Sequence, residues 1–384
     1  MVRTRLLVLA NSTVWGGAEM FLWRLCRELS AAGMPIVLVG PPEGRALARF
    51  RQLSLEACYG KDMGMGAGRI RGMLGSLALA DPRAKQAVMR VLKQMKELHG
   101  CNSVLCQYPR EQVLATQAGR SLGYQVIWIV HSKLHFLCNR LLVNPLLRRA
   151  MRAVDLAFVV SRSTKDALAQ DGFPRDKMYL LPVGIEVPAG LPPRPMDGAM
   201  KVGVVSRLLY FKGVQYVLRA APEILRQFPG IEFLIAGEGR YRPRLERLAK
   251  KLGIGECVKF LGFKEEPWEV YRRIRILVHA TFDPGDSMPT SILEAAAAGV
   301  PSVATRWSGI PEIIRDGETG LLVPVHDVDA LTGAIKRLLG DGQFAARLGA
   351  RAREFVLENF TMKQVARSFA EQMEASVTRQ AGIT

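Results

Sequence analysis

Short apolar runs rich in Val, Ile and Leu recur along the whole chain, each separated from the next by a longer stretch at helical spacing. In the front half they fall at residues 6–10, 35–40, 103–107, 125–130, 156–160 and 178–183, and in the back half at 201–206, 231–237, 258–262, 276–280, 301–305 and 320–324. A strand that is apolar on both faces must be covered on both, and intervening helices supply that cover when the strands run parallel. The pattern therefore predicts an α/β chain of two doubly wound domains. With 384 residues, each domain has enough apolar side chains for its own core without disulfide or metal staples.

The rhythm breaks between 182 and 200, where Pro182, Pro188, Pro192, Pro193 and Pro195 stand with three glycines. Such a stretch reads as a linker. It predicts a front domain over 1–184, a linker over 185–200 and a back domain over 201–360. Ligands of open α/β sheets bind beyond the carboxyl ends of the strands, so two such domains on one hinge imply a cleft between facing sheet edges.

The formal net charge is +18 and unevenly spread. Residues 1–155 hold 22 Lys and Arg against 9 Asp and Glu, a balance of +13; residues 156–384 hold 31 against 26, a balance of +5. The front half should attract anions: phosphates, acidic lipid headgroups or nucleic acid. No basic recognition helix, RNP-like aromatic strand or zinc finger accompanies the charge, so no nucleic-acid partner is expected. Gly64, Gly66 and Gly68 lack the spacing of a dinucleotide fingerprint and follow no strand, which reads as a loop and removes the case for a nicotinamide enzyme. No apolar run approaches the roughly 18 to 20 residues that cross a bilayer. The five apolar residues after Arg3 and Arg5 are fewer than the roughly 7 to 15 of a secretory signal core, so a buried first strand is expected there. Cys26, Cys58, Cys101, Cys106, Cys138 and Cys257 are scattered and read as reduced thiols of a cytoplasmic protein.

Three stretches could carry chemistry. Gly16 and Gly17 follow the first strand and open a helix; they form either a tight turn or a place where backbone amides and the positive helix end approach a phosphate. Arg207 and Lys212 leave the end of run 201–206 together, either as solvated loop charges or as a planar fork and a mobile point charge on two phosphates. Pro289 and Thr290 can start a helix of about two turns that Gly299 and Pro301 end. Asp286 then precedes the helix and Glu294 lies inside it, roughly 6 Å further along at about 1.5 Å per residue. The pair is either a surface Asp with a helix-face Glu, or two carboxylates flanking a diphosphate and meeting the hydroxyls of a nucleotide sugar.

Taken in order, Trp15-Gly16-Gly17-Ala18-Glu19, Ser206-Arg207 with Lys212-Gly213, Ala236-Gly237-Glu238-Gly239, Phe260-Leu261-Gly262, the pair Asp286 and Glu294, and Gly309-Ile310-Pro311-Glu312 resemble the retaining GT-B glycosyltransferases of family 4. The resemblance spans residues 4–375. It implies the GT-B architecture, two Rossmann-like domains facing each other across a cleft, with a C-terminal helix over 361–384 crossing back to the front domain. It also implies that Glu294 holds the ribose, Arg207 and Lys212 the diphosphate, and Gly16, Gly17 and Gly237 the phosphate side of the donor. Asp286, Met288, Pro289 and Thr290 would face the donor sugar, Phe263 would lie near the base, and His131 would stand beside the transferred sugar. His131, Arg207, Lys212 and Asp286 are thus the expected catalytic set. The sequence departs from the family where Asp286 replaces Glu, where Ser287-Met288-Pro289 replaces a glycine-richer loop, and where Ser308 replaces a glycine.

The implied activity is transfer of a hexose-type sugar, with retention, from a nucleotide-diphosphate sugar to a glycan or lipid-linked acceptor in envelope polysaccharide or glycolipid assembly. A relative that hydrolyses or isomerises the donor, or a non-catalytic binder, is the alternative. No DxD-type acidic pair is present, so fixed cations and helix ends are expected to take the place of a metal, and no cofactor is expected. His131, His135 and Cys138 are not expected to hold zinc, since no second ligand cluster accompanies them. Over 83–98, Ala84, Ala87, Val88, Val91, Leu92, Met95 and Leu98 form one helical stripe with Lys85, Arg90, Lys93 and Lys96 elsewhere around it. The stripe either packs on the front sheet or, with Arg69, Arg71 and the apolar run 73–80, rests on an anionic membrane.

Overall fold

The computed structural model describes residues 4–10, 16–40, 49, 56–59, 82–131, 144–191, 200–265, 267–283 and 285–380. The chain divides into two compact units, Met1–Gly184 with Met362–Thr384, and Ile185–Thr361.

The first unit is built on seven parallel strands: β1 (Leu6–Leu9), β2 (Ile36–Gly40), β3 (Glu56–Tyr59), β4 (Ser103–Cys106), β5 (Gln125–Val130), β6 (Leu156–Val159) and β7 (Met178–Leu180). They lie in the order β3-β2-β1-β4-β5-β6-β7. Leu7 is in register with Val37 on one side and Val104 on the other. Both faces are covered. On one, Leu7, Leu9, Val104 and Trp128 pack with Val88, Leu92 and Val113 from helices Pro82–His99 and Pro109–Gly119. On the other, Phe158 meets Phe369 of helix Met362–Gln380 at a ring separation of 4.6 Å, and Gln125 reaches Ser376 at 3.3 Å. Residues beyond 361 therefore complete the first unit.

In the helical stripe, Ala84 through Met95 are buried, whereas Leu98 is 65% exposed. The stripe thus belongs to the core of the first unit, and its cations Lys85, Arg90, Lys93 and Lys96 are exposed. Residues 64–68 and 73–80, with Arg69 and Arg71, lie outside the described residues, as do Trp15, His135 and Cys138. Strand β3 is not among the runs read from the sequence. Its Glu-Ala-Cys-Tyr carries no Val or Ile and is only four residues long, so the apolar signal is absent, and backbone pairing with β2 defines it.

The second unit has six parallel strands: β8 (Lys201–Val205), β9 (Glu232–Ala236), β10 (Val258–Gly262), β11 (Ile276–His279), β12 (Ser302–Thr305) and β13 (Gly320–Val323). Their order is β10-β9-β8-β11-β12-β13. Val202, Val204, Ile235, Val278 and Val303 fill the core with Leu218, Ile224, Leu331, Ile335, Leu338 and Leu348 from the covering helices. Ile185 opens this unit, its N–H donating to Phe360 O at 2.9 Å, and Arg353 donates to Leu191 O at 2.8 Å. Residues 192–199 of the expected linker lie outside the described residues. No helix among the described residues is long and apolar enough to cross a membrane.

Each strand order reverses once, between β1 and β4 in the first unit and between β8 and β11 in the second. Loops leaving the carboxyl ends of strands diverge at such a point and leave a crevice for a ligand.

Candidate functional site

In the second unit the crevice is lined by the segments after β8 and β11. Arg207 leaves β8 exposed, and among the described residues its guanidinium pairs with no carboxylate. The chain then makes one tight turn, Tyr210–Lys212, and enters helix Val214–Gln227 through Gly213. Gly213 has φ +71°, and a Cβ there would stand 1.8 Å from Ala280 O, so only glycine lets this turn pass so close to the end of β11. Gly237, at the end of β9, has φ +136° and would meet Ser206 O at the same distance. Both glycines keep backbone against backbone and leave the Arg207 loop in place.

The turn drives Lys212 inward, where it is 7% exposed. Its ammonium lies 2.6 Å from Asp286 Oδ2 and 3.3 Å from Asp283 Oδ2. Asp286 Oδ2 also meets His279 Nε2 at 3.0 Å, and His279 Nδ1 meets Ser291 Oγ at 3.4 Å. Burial opposes ionisation of Asp286, yet the hydrogen bond and charge of His279 and Lys212 outweigh it and hold the carboxyl well below the usual carboxylate range. Sequence reading brings out Lys212 and Asp286 separately; the structure joins them directly.

Helix Thr290–Ala297 comes after this loop, with Pro289 at its N-cap and no side chain capping it. Ile292 N–H turns back to Pro289 O at 3.2 Å, and among the described residues the Thr290 and Ser291 amides before it have no acceptor. Met288 and Pro289 are buried, while Thr290 and Asp286 are half-buried. Glu294 is 8% exposed and accepts a hydrogen bond from the Tyr271 hydroxyl on Oε2 at 2.8 Å. Tyr271 is fully buried, and burial together with the Glu294 charge raises its phenol well above the ordinary value. The phenol therefore stays a donor and Glu294 an acceptor. Phe263, after β10, is 69% exposed. Ser308, where the family usually has glycine, keeps a left-handed φ of 49°.

In the first unit the crevice is built differently. Gly16 is the N-cap of helix Gly17–Ala31, and its N–H donates to Glu19 Oε2 at 2.9 Å. Glu19 is 7% exposed and also accepts from the Tyr108 hydroxyl on Oε1. The chain's own carboxylate thus meets the Gly16 amide expected to approach a phosphate. A Cβ at Gly17 would meet nothing within 4 Å. His131 comes directly after β5; its Nε2 lies 3.2 Å from Gln107 Oε1 and its ring stands edge-on to Phe21 at 5.5 Å. Loss of hydration pushes its pKa down to about 4, so the imidazole is neutral at neutral pH.

Sequence reasoning missed His279, Tyr271, Asp283 and Tyr108. His279 carried a signal, a titratable residue closing the otherwise apolar run Ile-Leu-Val-His. Tyr271 and Tyr108 carried none. Among the described residues no group of three or more His, Cys, Asp or Glu could hold a metal ion.

Two family models match, Glycosyl transferases group 1 over residues 195–355 and Glycosyltransferase Family 4 over residues 15–187. The chain is 32% identical over 248 residues to the GDP-mannose-dependent alpha-(1-6)-phosphatidylinositol monomannoside mannosyltransferase of Mycolicibacterium smegmatis, a match covering 59% of this chain and 65% of that protein. It is 36% identical over 213 residues to the exopolysaccharide phosphotransferase SCO2592 of Streptomyces coelicolor, covering 55% of this chain and 22% of that one. The matches thus span less than two thirds of either relative's length. Anabaena Alr3699/HepE in complex with UDP superposes with a TM-score of 0.81 at 20% identity, over 97% of this chain and 100% of that one.

Proposed function

We propose that this chain, which belongs to the group 1, family 4 glycosyltransferases of the GT-B fold, moves a hexose-type sugar from a nucleotide-diphosphate sugar to a hydroxyl of a glycan or lipid-linked acceptor, with retention. One observation carries this reading: Arg207, which pairs with no carboxylate among the described residues, a carboxylate pinned at Asp286 and a helix N-terminus without a side-chain cap lie together around the switch point of the second unit. That combination suits a diphosphate joined to a polyol. Arg207 and the open amides of helix Thr290–Ala297 meet the diphosphate, and their fixed charge stabilises it as the sugar bond breaks. Glu294 accepts from the ribose hydroxyls, Asp286 from the sugar, and Phe263 lies beside the base. Lys212 stands behind Asp286 and adds positive charge. Of the first unit's residues, neutral His131 is the one assigned to the transferred sugar, and Gly16 and Gly17 to the phosphate side of the donor. The sequence marks no carboxylate as a covalent nucleophile, so the departing phosphate takes the acceptor proton during front-face attack.

The mannosyltransferase relative's donor is GDP-mannose and HepE binds UDP, which supports a nucleotide donor and leaves its base to experiment. A panel of UDP-, GDP- and ADP-sugars should contain one that raises the melting temperature and is turned over faster with acceptor. That turnover should persist in EDTA, since the cations here are side chains. Acceptor-independent loss of donor, or binding without turnover, would refute transfer. We also propose peripheral contact with an anionic membrane on its cytoplasmic face through Lys85, Arg90, Lys93 and Lys96, all exposed on helix Pro82–His99. Sedimentation with anionic but not neutral vesicles at low salt is the expected result.

A further inference from the structure

We infer that His279 is a positioning residue for Asp286: it and Lys212 bind the same carboxylate oxygen and turn the other toward the donor sugar. This rests on the transfer reading for what the second oxygen meets. The geometry itself does not.

Both contacts fall on Oδ2, at 3.0 Å from His279 Nε2 and 2.6 Å from Lys212 Nζ, and among the described residues Oδ1 accepts no hydrogen bond. A carboxylate only accepts, so Nε2 carries the hydrogen. Nδ1, the other ring nitrogen, lies 3.4 Å from the Ser291 hydroxyl, which can donate to it or accept from it. Ser291 lies on helix Thr290–Ala297, so the helix that opens toward the diphosphate also holds the far side of the ring that aims Asp286. The imidazole is 3% exposed at the end of β11, a rigid strand in the middle of the sheet. Lys212 has a second partner in Asp283 and a flexible stem, whereas the ring is held at both nitrogens, by Asp286 and Ser291. The charged groups facing Asp286 are His279 from β11 and Lys212 from the turn after β8, with Asp283 of its own loop beyond Lys212. Aspartate at this position is one methylene shorter than the family's usual glutamate, and a fixed ring behind it holds that shorter reach in one direction.

The test compares His279→Phe, which removes the donor, with His279→Gln, whose amide N–H can take its place, and with Ser291→Ala. In protein carrying ¹³C-labelled aspartate carboxyls, with Asp286 identified by Asp286→Asn, the titration midpoint of Asp286 should rise by about one to two pH units in His279→Phe and return most of the way in His279→Gln. Ser291→Ala should shift it less. With the donor that the panel selects, His279→Phe should lower kcat roughly 10- to 100-fold, the usual scale for a group that orients a functional side chain, while affinity for free UDP or GDP changes less than about twofold. Phe and Gln variants alike in midpoint, or a midpoint unmoved in both, would overturn the inference. If the wild-type chain turns over no donor, the transfer reading fails and the carboxyl titration still decides the role of His279.

Discussion

The two switch-point crevices share a topology and differ in charge. After β8 and β11, buried Lys212 and His279 and half-buried Asp283 and Asp286 form a polar chain that is largely neutralised by its own members, with Arg207 outside it. After β1, β4 and β5, the carboxylate of Glu19 is held by an amide and a phenol, and His131 is kept neutral. The front half nevertheless carries the larger net charge. Its cations Lys85, Arg90, Lys93 and Lys96 occupy exposed positions of a helix whose opposite side fills the core. Net charge of a segment therefore does not locate a site; a site is located by which charges the strand ends bring together.

Arg207→Ala gives the sharpest break of that contrast. Removing this guanidinium should lower turnover about 10²- to 10³-fold, the range for loss of a donor that stabilises developing negative charge. Because the side chain is exposed, stability should change by less than about 0.5 kcal/mol, which urea titration would detect. Unchanged turnover would mean that the second crevice is not the charged partner of the pair.

Glu294→Ala comes next. It leaves the buried Tyr271 hydroxyl without its acceptor, so unfolding free energy should fall by about 1 to 3 kcal/mol, and nucleotide should no longer raise the melting temperature. Loss of stability with an intact nucleotide shift would make Glu294 a purely structural partner of Tyr271.

The smallest effect belongs to the front crevice. His131 has a folded pKa of about 4, below its unfolded value of about 6.5, so between these values the unfolded chain binds more protons. Stability contributed by the neutral ring is complete above about pH 6.5 and is lost as pH falls through the window toward 4. Denaturant midpoints measured across that window should fall less steeply in His131→Gln. Identical slopes would show that the ring is as readily protonated in the folded state as in the unfolded one.

The alternation of apolar runs and helical stretches is enough to read the doubly wound sheets, because strands such as Gln125–Val130, buried along their whole length, have few other places to go. Strand β3 escapes that reading because it lies at the sheet edge and its Glu, Ala, Cys and Tyr include no β-branched residue. In the site, Asp286 and Glu294 are legible through their spacing across the start of one helix, a local property. The Lys212 pair with Asp283 and Asp286 is not, because it joins loops after β8 and β11 that are 70 residues apart in sequence and adjacent only in the sheet. Tyr271 is illegible for the same reason: its partner, Glu294, is supplied by another helix.

Helix Met362–Gln380 lays Phe369 on Phe158 and so covers a sheet whose first strand is Leu6–Leu9. During synthesis on the ribosome, Ile185–Thr361 has all its own core residues before that helix emerges. The portion made first must wait with Phe158 and the neighbouring part of its sheet uncovered while the whole of the other unit is translated. Nascent chains arrested before residue 362 should therefore hold a protease-resistant rear portion and a leading portion that is still digestible.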